Sequence, residues 1–446
     1  MQLLPPAVAD LIAADHIARR INKVVNDMDL SAIENLYSAN GCRAYHPKML
    51  LKVLVYGYTI GLRSSRKLAD RLGEDVVFIW LSGQSRPDFR TISDFRKDKL
   101  VDVKKVFVEV LDLCRDLGMV RIGKVSIDGT KFRADASGSR MQYRKVLNKR
   151  KSRVEELVDG ILDEAEATDA EEEKLYGNGT EHTIPGLDLR EVGKKLAQLK
   201  RKRESLAKKK AKLEAKKTDI NAKLRKMRKD RNTMSSTDKD ATLMLMKERY
   251  IAPGYNGQIA TEHQVILGYG LFSNRNDSKL LKPMVNEVKE NTGKDPEIIP
   301  ADAGYGSKMN YRFLKNRRIA AFIPYNNFNQ EMAERNKGSY EPPQKIDKEL
   351  ERYKFTQKVR LLSLEGKKLM QRRREDIEPT FGDIKRNMNF RSFNLRGRPK
   401  CLIEFGLVCI GHNLKKIKSH LKKLAKWDDG NLLGQELGEV LGYRPA

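Results

Sequence analysis

Val125-Ser126-Ile127-Asp128-Gly129 is the stretch at which the character of the chain changes. Apolar and polar residues alternate and the run closes on Asp-Gly, the pattern of a β-strand running into a turn. After a long gap the pattern returns at Tyr255. Gln258 to Glu262 and Gln264 to Tyr269 read as paired strands, Leu280 to Asn291 as a helix, and Glu297-Ile298-Ile299-Pro300-Ala301-Asp302 as a short strand ending on an acid. Asn310 to Arg317 reads as a helix and Ile319 to Pro324 as an apolar strand. The polar run from Asn326 through Pro342-Pro343 reads as a loop, and Glu365 to Met388 and Cys401 to Leu424 as helical regions. Strand, strand, strand, helix, strand, helix, strand, helix is the order of an α/β domain of mixed sheet.

Upstream of this domain the chain reads as helical to about Gly118. Apolar residues recur at helical spacing from Leu11 through Val24 and from Met49 to Ile60, and Pro47 stands where a helix would begin. Ser64 to Gly73 fits a short capped helix and Val76 to Leu81 a second. A third is expected from Thr91 to about Cys114, with Asp94 as its capping acid. With Arg63, Arg66, Lys67, Arg71, Arg86, Arg90 and Arg96 among them, these helices suit a helix-turn-helix-like DNA-binding unit, and equally a plain bundle with basic edges.

Between the first strand and the rest of the sheet lies a charged insertion. Glu155 to Lys174 carries ten acids and one base, and Lys194 to Arg231 carries 18 bases and four acids. Leu199, Leu206, Leu213, Ile220 and Met227 recur every seven residues, but the companion positions Leu196, Arg203, Lys210, Lys217 and Leu224 are only partly apolar. Such a seam suits an antiparallel helical hairpin, with Gly177 to Gly186 and Pro185 at its tip. Its surplus of positive charge is suited to lie along DNA or to be a solvated spacer. The expected organisation is a helical domain at 1–118, an α/β domain built from 119–139 and 236–425, an inserted coiled-coil-like hairpin at 140–235, and a tail at 426–446.

At 446 residues the chain has room for two or three domains of roughly 150 residues. Its 88 Lys+Arg against 60 Asp+Glu give a formal charge of +28. That much charge repels itself unless a polyanion binds, and nucleic acid is the polyanion whose neutralisation releases counterions. Cys42, Cys114, Cys401 and Cys409 form no Cys-x-x-Cys pair, and the six histidines are scattered. A zinc site or disulfide framework is therefore not expected, and a reducing cytoplasm is. Met1 to Val8 is no signal peptide, and no apolar run approaches the ~18 residues of a membrane span. No Gly-x4-Gly-Lys-[Ser/Thr] run marks a P-loop.

The acids carry the chemistry. Asp128 and Asp302 each close an apolar strand and each is followed by small residues, Gly129-Thr130 and Ala303-Gly304. Small neighbours let a phosphate approach the backbone. Two strand-end carboxylates can share a divalent cation, and magnesium binds through a few carboxylates, waters and substrate phosphates. A two-metal phosphoryl-transfer site needs a further carboxylate. Arg374 and Glu378 share one helical face, to which Lys385 returns two turns later. Pro379 disfavours a regular helix at Glu378, so a kink or a new helix is expected there. Singly, each acid suits a cap or a surface position as well.

Asp128-Gly129-Thr130, Ala301-Asp302-Ala303-Gly304-Tyr305 and the run from Arg374 to Lys385 resemble the DDE transposases of bacterial insertion sequences. The group most resembled carries a Tyr-x2-Arg-x3-Glu-x6-Lys signature. Arg374, Glu378 and Lys385 keep its spacing, with Gln371 in the tyrosine position. Thr237 to Ala241, Gly254 to Gln258, Asn276-Asp277-Ser278, His46 to Leu50 and Arg86-Pro87-Asp88 also look like this family.

The resemblance implies an RNase H-like catalytic core that holds two Mg²⁺ or Mn²⁺ ions on Asp128, Asp302 and Glu378. Arg374, Lys385 and Gln371 would contact DNA near the scissile phosphate. Arg66, Lys67, Arg71 and Arg90 would recognise terminal inverted repeats within a homodimer. Cleavage at an element end and 3′-hydroxyl transfer into target DNA follow as the expected activity, at the bacterial nucleoid. A nuclease of the same fold without strand transfer, a non-enzymatic DNA-bridging protein and an inactive remnant are the competing expectations.

Overall fold

The computed structural model describes residues 7–34, 45–100, 103–176, 189–227, 233–340 and 347–427. Residues 1–6 of the N-terminus, Cys42, the expected hairpin tip Gly177 to Gly186, Pro342-Pro343 and the tail beyond Trp427 lie outside them. The chain forms two compact units, one of Met1–Ala136 with Asp240–Ala446 and one of Ser137–Lys239.

The sheet of the larger unit is built on β1 (Ser126–Arg133), β2 (Ile251–Glu262), β3 (Val265–Phe272), β4 (Ile298–Pro300) and β5 (Ala320–Phe322). β2 pairs antiparallel with both β1 and β3. β4 pairs parallel with β5, and parallel bridges Lys124–Ile298 and Ile127–Ala301 join β4 to β1. The lateral order is therefore 3-2-1-4-5, with the first three strands antiparallel and the last two parallel to β1. A short strand, Thr242–Leu245, pairs with the first residues of β2.

One hydrophobic core spans this unit. It joins Ile21, Leu54 and Phe107 of the early helices to Ile127, Phe132 and Ile259 of the sheet and to Phe405 and Ile410 of the Arg398–Trp427 helix. Burying each such side chain contributes ~1.5–3 kcal/mol. Polar ties cross the same core. The carboxylate of Glu404 accepts from Tyr58 Oη at 2.8 Å and from the amides of Asn394 and Leu395. Arg96 in turn donates to Tyr58 Oη at 3.0 Å and to the Arg63 carbonyl.

At the end of β2, Glu262 accepts from four successive amides, Arg121 to Lys124, at 2.7–3.1 Å. This nest holds Ile122 at a φ of +61° and aims the chain into β1.

Several elements depart from the sequence reading. β1 does not stop at Asp128: it runs on to Arg133, with Gly129 paired to Gln258, so Asp128 lies inside a strand rather than at its end. The first helix starts at Ile17 rather than near Leu11, and His16 caps it. The third short helix is Phe89–Asp94, capped by Asp88 and not by Asp94: Asp88 Oδ1 accepts from Thr91 N at 2.7 Å. A π-turn at Phe95–Lys99 ends it, and a separate helix, Val103–Asp116, follows. The wider turn brings two consecutive residues, Phe95 and Arg96, to the buried side. Arg96, 4% exposed, is thus a core residue and not one of the outward basic residues.

The run from Asn326 is not a plain loop. Phe328–Lys337 is a helix stopped by Gly338 at φ +73°, and Lys348–Leu362 is another. Their i,i+4 pairs, such as Arg335 with Glu331, support a helix with no fully buried residue, for which no apolar periodicity exists to read.

Pro379 does not start a new helix: it lies inside one that runs from Leu364 to Gly382. The carbonyl that proline leaves without its usual donor, Glu375 O, accepts from Gln264 Nε2 at 3.1 Å.

The smaller unit is a hairpin of two long helices, Arg144–Tyr176 and Leu189–Lys226, rooted on the antiparallel strands Met141–Tyr143 and Thr233–Ser235. Leu199, Leu206, Ile220 and Met227 of the heptad are buried. Lys217 meets Glu155 at 3.0 Å and Lys202 meets Glu164 at 3.5 Å, so the acidic helix offsets part of the basic one.

Candidate active site

The parallel bridge between Ile127 and Ala301 sets side by side the residues that follow them, Asp128 inside β1 and Asp302 just past the end of β4. Gly129 is obligatory beside Asp128: a Cβ there would stand 1.8 Å from Gln258 Nε2. That amide belongs to a buried polar network. Asp277 Oδ1 accepts from Asn256 Nδ2 at 2.5 Å, from Gln258 Nε2 at 2.9 Å and from Lys131 Nζ at 3.3 Å, and Tyr305 Oη donates to Gln258 Oε1. The network backs β1 from behind and ties it to the segment after Asp302.

The Leu364–Gly382 helix supplies the facing wall. Nη2 of Arg373 lies 3.1 Å from Asp128 Oδ2 and 2.7 Å from Asp302 Oδ1. The side chains are 24%, 54% and 7% exposed for Asp128, Asp302 and Arg373. Burial is the main force on Asp128. It pushes the carboxyl up to about 6, with Arg373 pulling it down and Asp302 pushing it up. Asp128, Asp302, Arg373, Arg374 and Glu378 line one cleft of about 750 Å³, with Tyr325, Phe328 and Lys367 among its other walls. Arg374 and Glu378 are exposed, and among the described residues their side chains make no hydrogen bond or ion pair. No group of three metal-binding side chains stands close enough to hold an ion among the described residues.

The remaining sequence candidates fall elsewhere. Lys385 lies in a π-turn, Asp383–Asn387, that follows the helix. Its Nζ donates to Thr130 Oγ1 at 2.6 Å and lies over the Phe132 ring, so it abuts β1 two residues past Asp128. Burial lowers its pKa. Gln371 is exposed, bonds Glu375 Oε1 at 3.0 Å and does not line the cleft. Arg66, Lys67, Arg71 and Arg90 are exposed, and Arg66 and Arg90 both flank the Phe89 ring. Arg63 is turned inward onto the Ser392 and Asn389 carbonyls.

Arg373 and the Asp277 network went unassigned in the sequence reading. Asn256 and Gln258, polar on alternate positions of a buried strand, are the signal that could have found the network. Asp383 was missed as well. Its carboxylate faces His412 Nδ1 at 2.8 Å, Asn387 Nδ2 at 2.9 Å and Lys415 Nζ, while His412 Nε2 meets the Gln264 carbonyl at 2.8 Å. Burial pushes the Asp383 carboxyl up, but the bonds from His412, Lys415 and Asn387 outweigh it and hold the carboxyl well below the usual range.

A group held low in the fold stabilises in full above its unfolded value of ~3.9, and that stability is lost as pH falls through the lower folded value. Asp383→Asn is therefore expected to cost about 3 kcal/mol at pH 7. It should also flatten the acid limb of stability below about pH 4. Urea midpoints measured across pH check both; an unchanged acid limb would remove Asp383 from that role.

Two carboxylates thus share one cationic nitrogen beside a cleft that Arg374 and Glu378 also line. The family described as Transposase domain (DUF772) matches residues 6–98, and the family described as Transposase DDE domain matches residues 240–414. The second span contains Asp302, Arg374, Glu378 and Lys385; Asp128 lies between the two. No curated protein and no solved structure matches the chain.

Proposed function

Because the chain belongs to the DDE transposases of the insertion-sequence type, we propose that it cleaves DNA at the ends of its element and transfers the exposed 3′-hydroxyl into target DNA, with Asp128, Asp302 and Glu378 as its catalytic acids. The observation that carries this is the single Arg373 nitrogen shared by Asp128 and Asp302, in a cleft that Glu378 also lines. Two carboxylate oxygens converging on one cationic atom are a donor pair that suits a hard divalent ion. Glu378, exposed in the same cleft, completes the set. The 3-2-1-4-5 sheet, with Asp128 on its central strand, supports an RNase H-like core.

Mg²⁺ or Mn²⁺, two ions per site, would when bound activate the attacking water or 3′-hydroxyl and stabilise the leaving oxygen. The chain's own side chains do the rest. Arg374 at the cleft offers a fork of donors to a phosphate, fixing the strand. Lys385 holds Thr130, and through it the stretch of β1 after Asp128, in register with the helix that carries Glu378. The Asp277 network keeps that strand rigid from behind. Arg66, Lys67, Arg71 and Arg90 form an exposed basic surface for the terminal repeats, where phosphate contacts position the duplex and a few groove contacts read it. Joining two ends calls for two copies of the chain, a homodimer, working at the nucleoid. Among the described residues no helix is long and apolar enough to cross a membrane.

The test is incubation of the full-length protein with a duplex carrying the element's own ends and a target plasmid. Cleaved ends and a covalently joined product are expected with Mg²⁺ or Mn²⁺, and neither with EDTA. Cleaved ends without joining would make the chain a nuclease of the same architecture. Metal-independent binding with no cutting would make it a DNA-bridging protein.

A further inference from the structure

Arg373 is an arginine in the wrong place for a structural ion pair and the right place for a stand-in. Both of its contacts are made by one nitrogen, Nη2, so two carboxylate oxygens point at a single positive atom. The rest of the guanidinium is not built into the protein: Nε is buried without a partner, and among the described residues the two carboxylates are its only partners. Buried guanidinium groups are ordinarily satisfied on most of their donors. The side chain comes from a helix that borders a cleft of about 750 Å³, so there is room for it to swing out.

We propose that Arg373 is an internal cation that holds Asp128 and Asp302 together in the metal-free protein and is displaced by an incoming divalent ion, which releases its guanidinium into the cleft beside Arg374. The inference rests on the reading of Asp128 and Asp302 as the metal-holding pair. Arginine cannot vacate the site by losing its proton. A guanidinium and a dication cannot both occupy the space between the two acids without strong repulsion. Displacement must therefore be a movement of the side chain. A freed guanidinium beside Arg374 faces the region where a substrate phosphate would lie, which couples ion loading to strand binding. Arg373 is on this account a positioning residue: it keeps two like charges apposed before the ion arrives.

A competitor that occupies the binding-competent arrangement lowers apparent affinity by the fraction it blocks. The full-length protein without DNA, titrated with Mn²⁺ and followed by electron paramagnetic resonance of the free ion, tests this. Arg373→Met is expected to bind Mn²⁺ about tenfold more tightly than the native chain, and to melt at a lower temperature without metal because the paired acids then repel. Arg373→Lys, which keeps the charge, should stay close to native affinity. Unchanged or weaker Mn²⁺ binding by Arg373→Met, with Asp128→Asn and Asp302→Asn abolishing it, would overturn the displacement and leave the site reading intact. Native-like Mn²⁺ binding by both Asp variants would overturn the site and the displacement together.

A second measurement needs no folded variant. Modification of Arg373 by phenylglyoxal, mapped by mass spectrometry against Arg372 and Arg374, should rise severalfold on adding Mn²⁺. An Arg373 as protected with the ion as without it would overturn the proposal.

Discussion

Asp128→Asn, Asp302→Asn and Glu378→Gln are each expected to reduce cleavage of a duplex with cognate ends by at least ~1,000-fold, about 4 kcal/mol of transition-state stabilisation. Binding of the same duplex should change little. Each change removes an anionic donor from the cleft while keeping the shape of the side chain. Loss of activity through unfolding is separable for Asp128, whose carboxyl burial has pushed up to about 6. A carboxyl with a folded pKa above its unfolded one stabilises in full below the unfolded value, and that stability is lost as pH rises through the folded one. At pH 7 the ionised Asp128 is therefore a cost to the metal-free fold, and the neutral Asn variant should melt no lower than the native chain. Gel assays of cutting and mobility-shift assays of binding check the prediction. Cutting at the native rate by any one variant removes that residue from the catalytic set.

The second large effect is structural. Glu262→Ala is expected to destabilise the larger unit by ~4 kcal/mol or more, since it leaves four consecutive amides without their acceptor, at ~1–3 kcal/mol for each that stays buried and unpaired. Those amides, Arg121 to Lys124, form the approach to β1, and the nest holds Ile122 in the left-handed region. Losing it should loosen the strand that carries Asp128 and lower cleavage even where the chain stays folded. Urea unfolding measures the first effect. A cost below about 1 kcal/mol would mean that water replaces the carboxylate and that the nest does not hold the strand.

The parts of this fold that were legible in the sequence are those in which burial imposes a period. The alternation of Val125 to Asp128, the apolar run around Ile299 and the heptad from Leu199 to Met227 each mark a face that is buried. The parts that were not legible depend on partners distant in the chain. Asp128-Gly129 has the local signature of a turn, yet Gly129 is there because the Gln258 amide fills the space a side chain would need. Pro379 should interrupt a helix, yet Gln264, far earlier in the chain, supplies the missing hydrogen bond to the Glu375 carbonyl. Arg96 looks like its basic neighbours, and only the phenol of Tyr58 and the carbonyl of Arg63 show that it is a core residue. The Phe328–Lys337 helix has no apolar stripe because none of its side chains is fully buried.

The site divides along the same line. Asp128, Asp302, Glu378 and Arg374 stand out by residue type and spacing, and the structure brings all four to one cleft. Arg373, next to Arg374, carries no mark of its own in the sequence. Its role follows from which way one turn of helix faces. Lys385, expected two turns beyond Glu378 on a regular helix, lies in the π-turn at Asp383–Asn387 and donates to Thr130.

The most direct measurement is anomalous scattering from crystals of the protein bound to a cognate DNA end and soaked with Mn²⁺. The expected result is a manganese peak within ligand distance of both Asp128 and Asp302, with the Glu378 carboxylate turned toward it and Arg373 moved away from the pair. Manganese bound elsewhere, or a Glu378 that faces away from the bound DNA strand, would contradict the account.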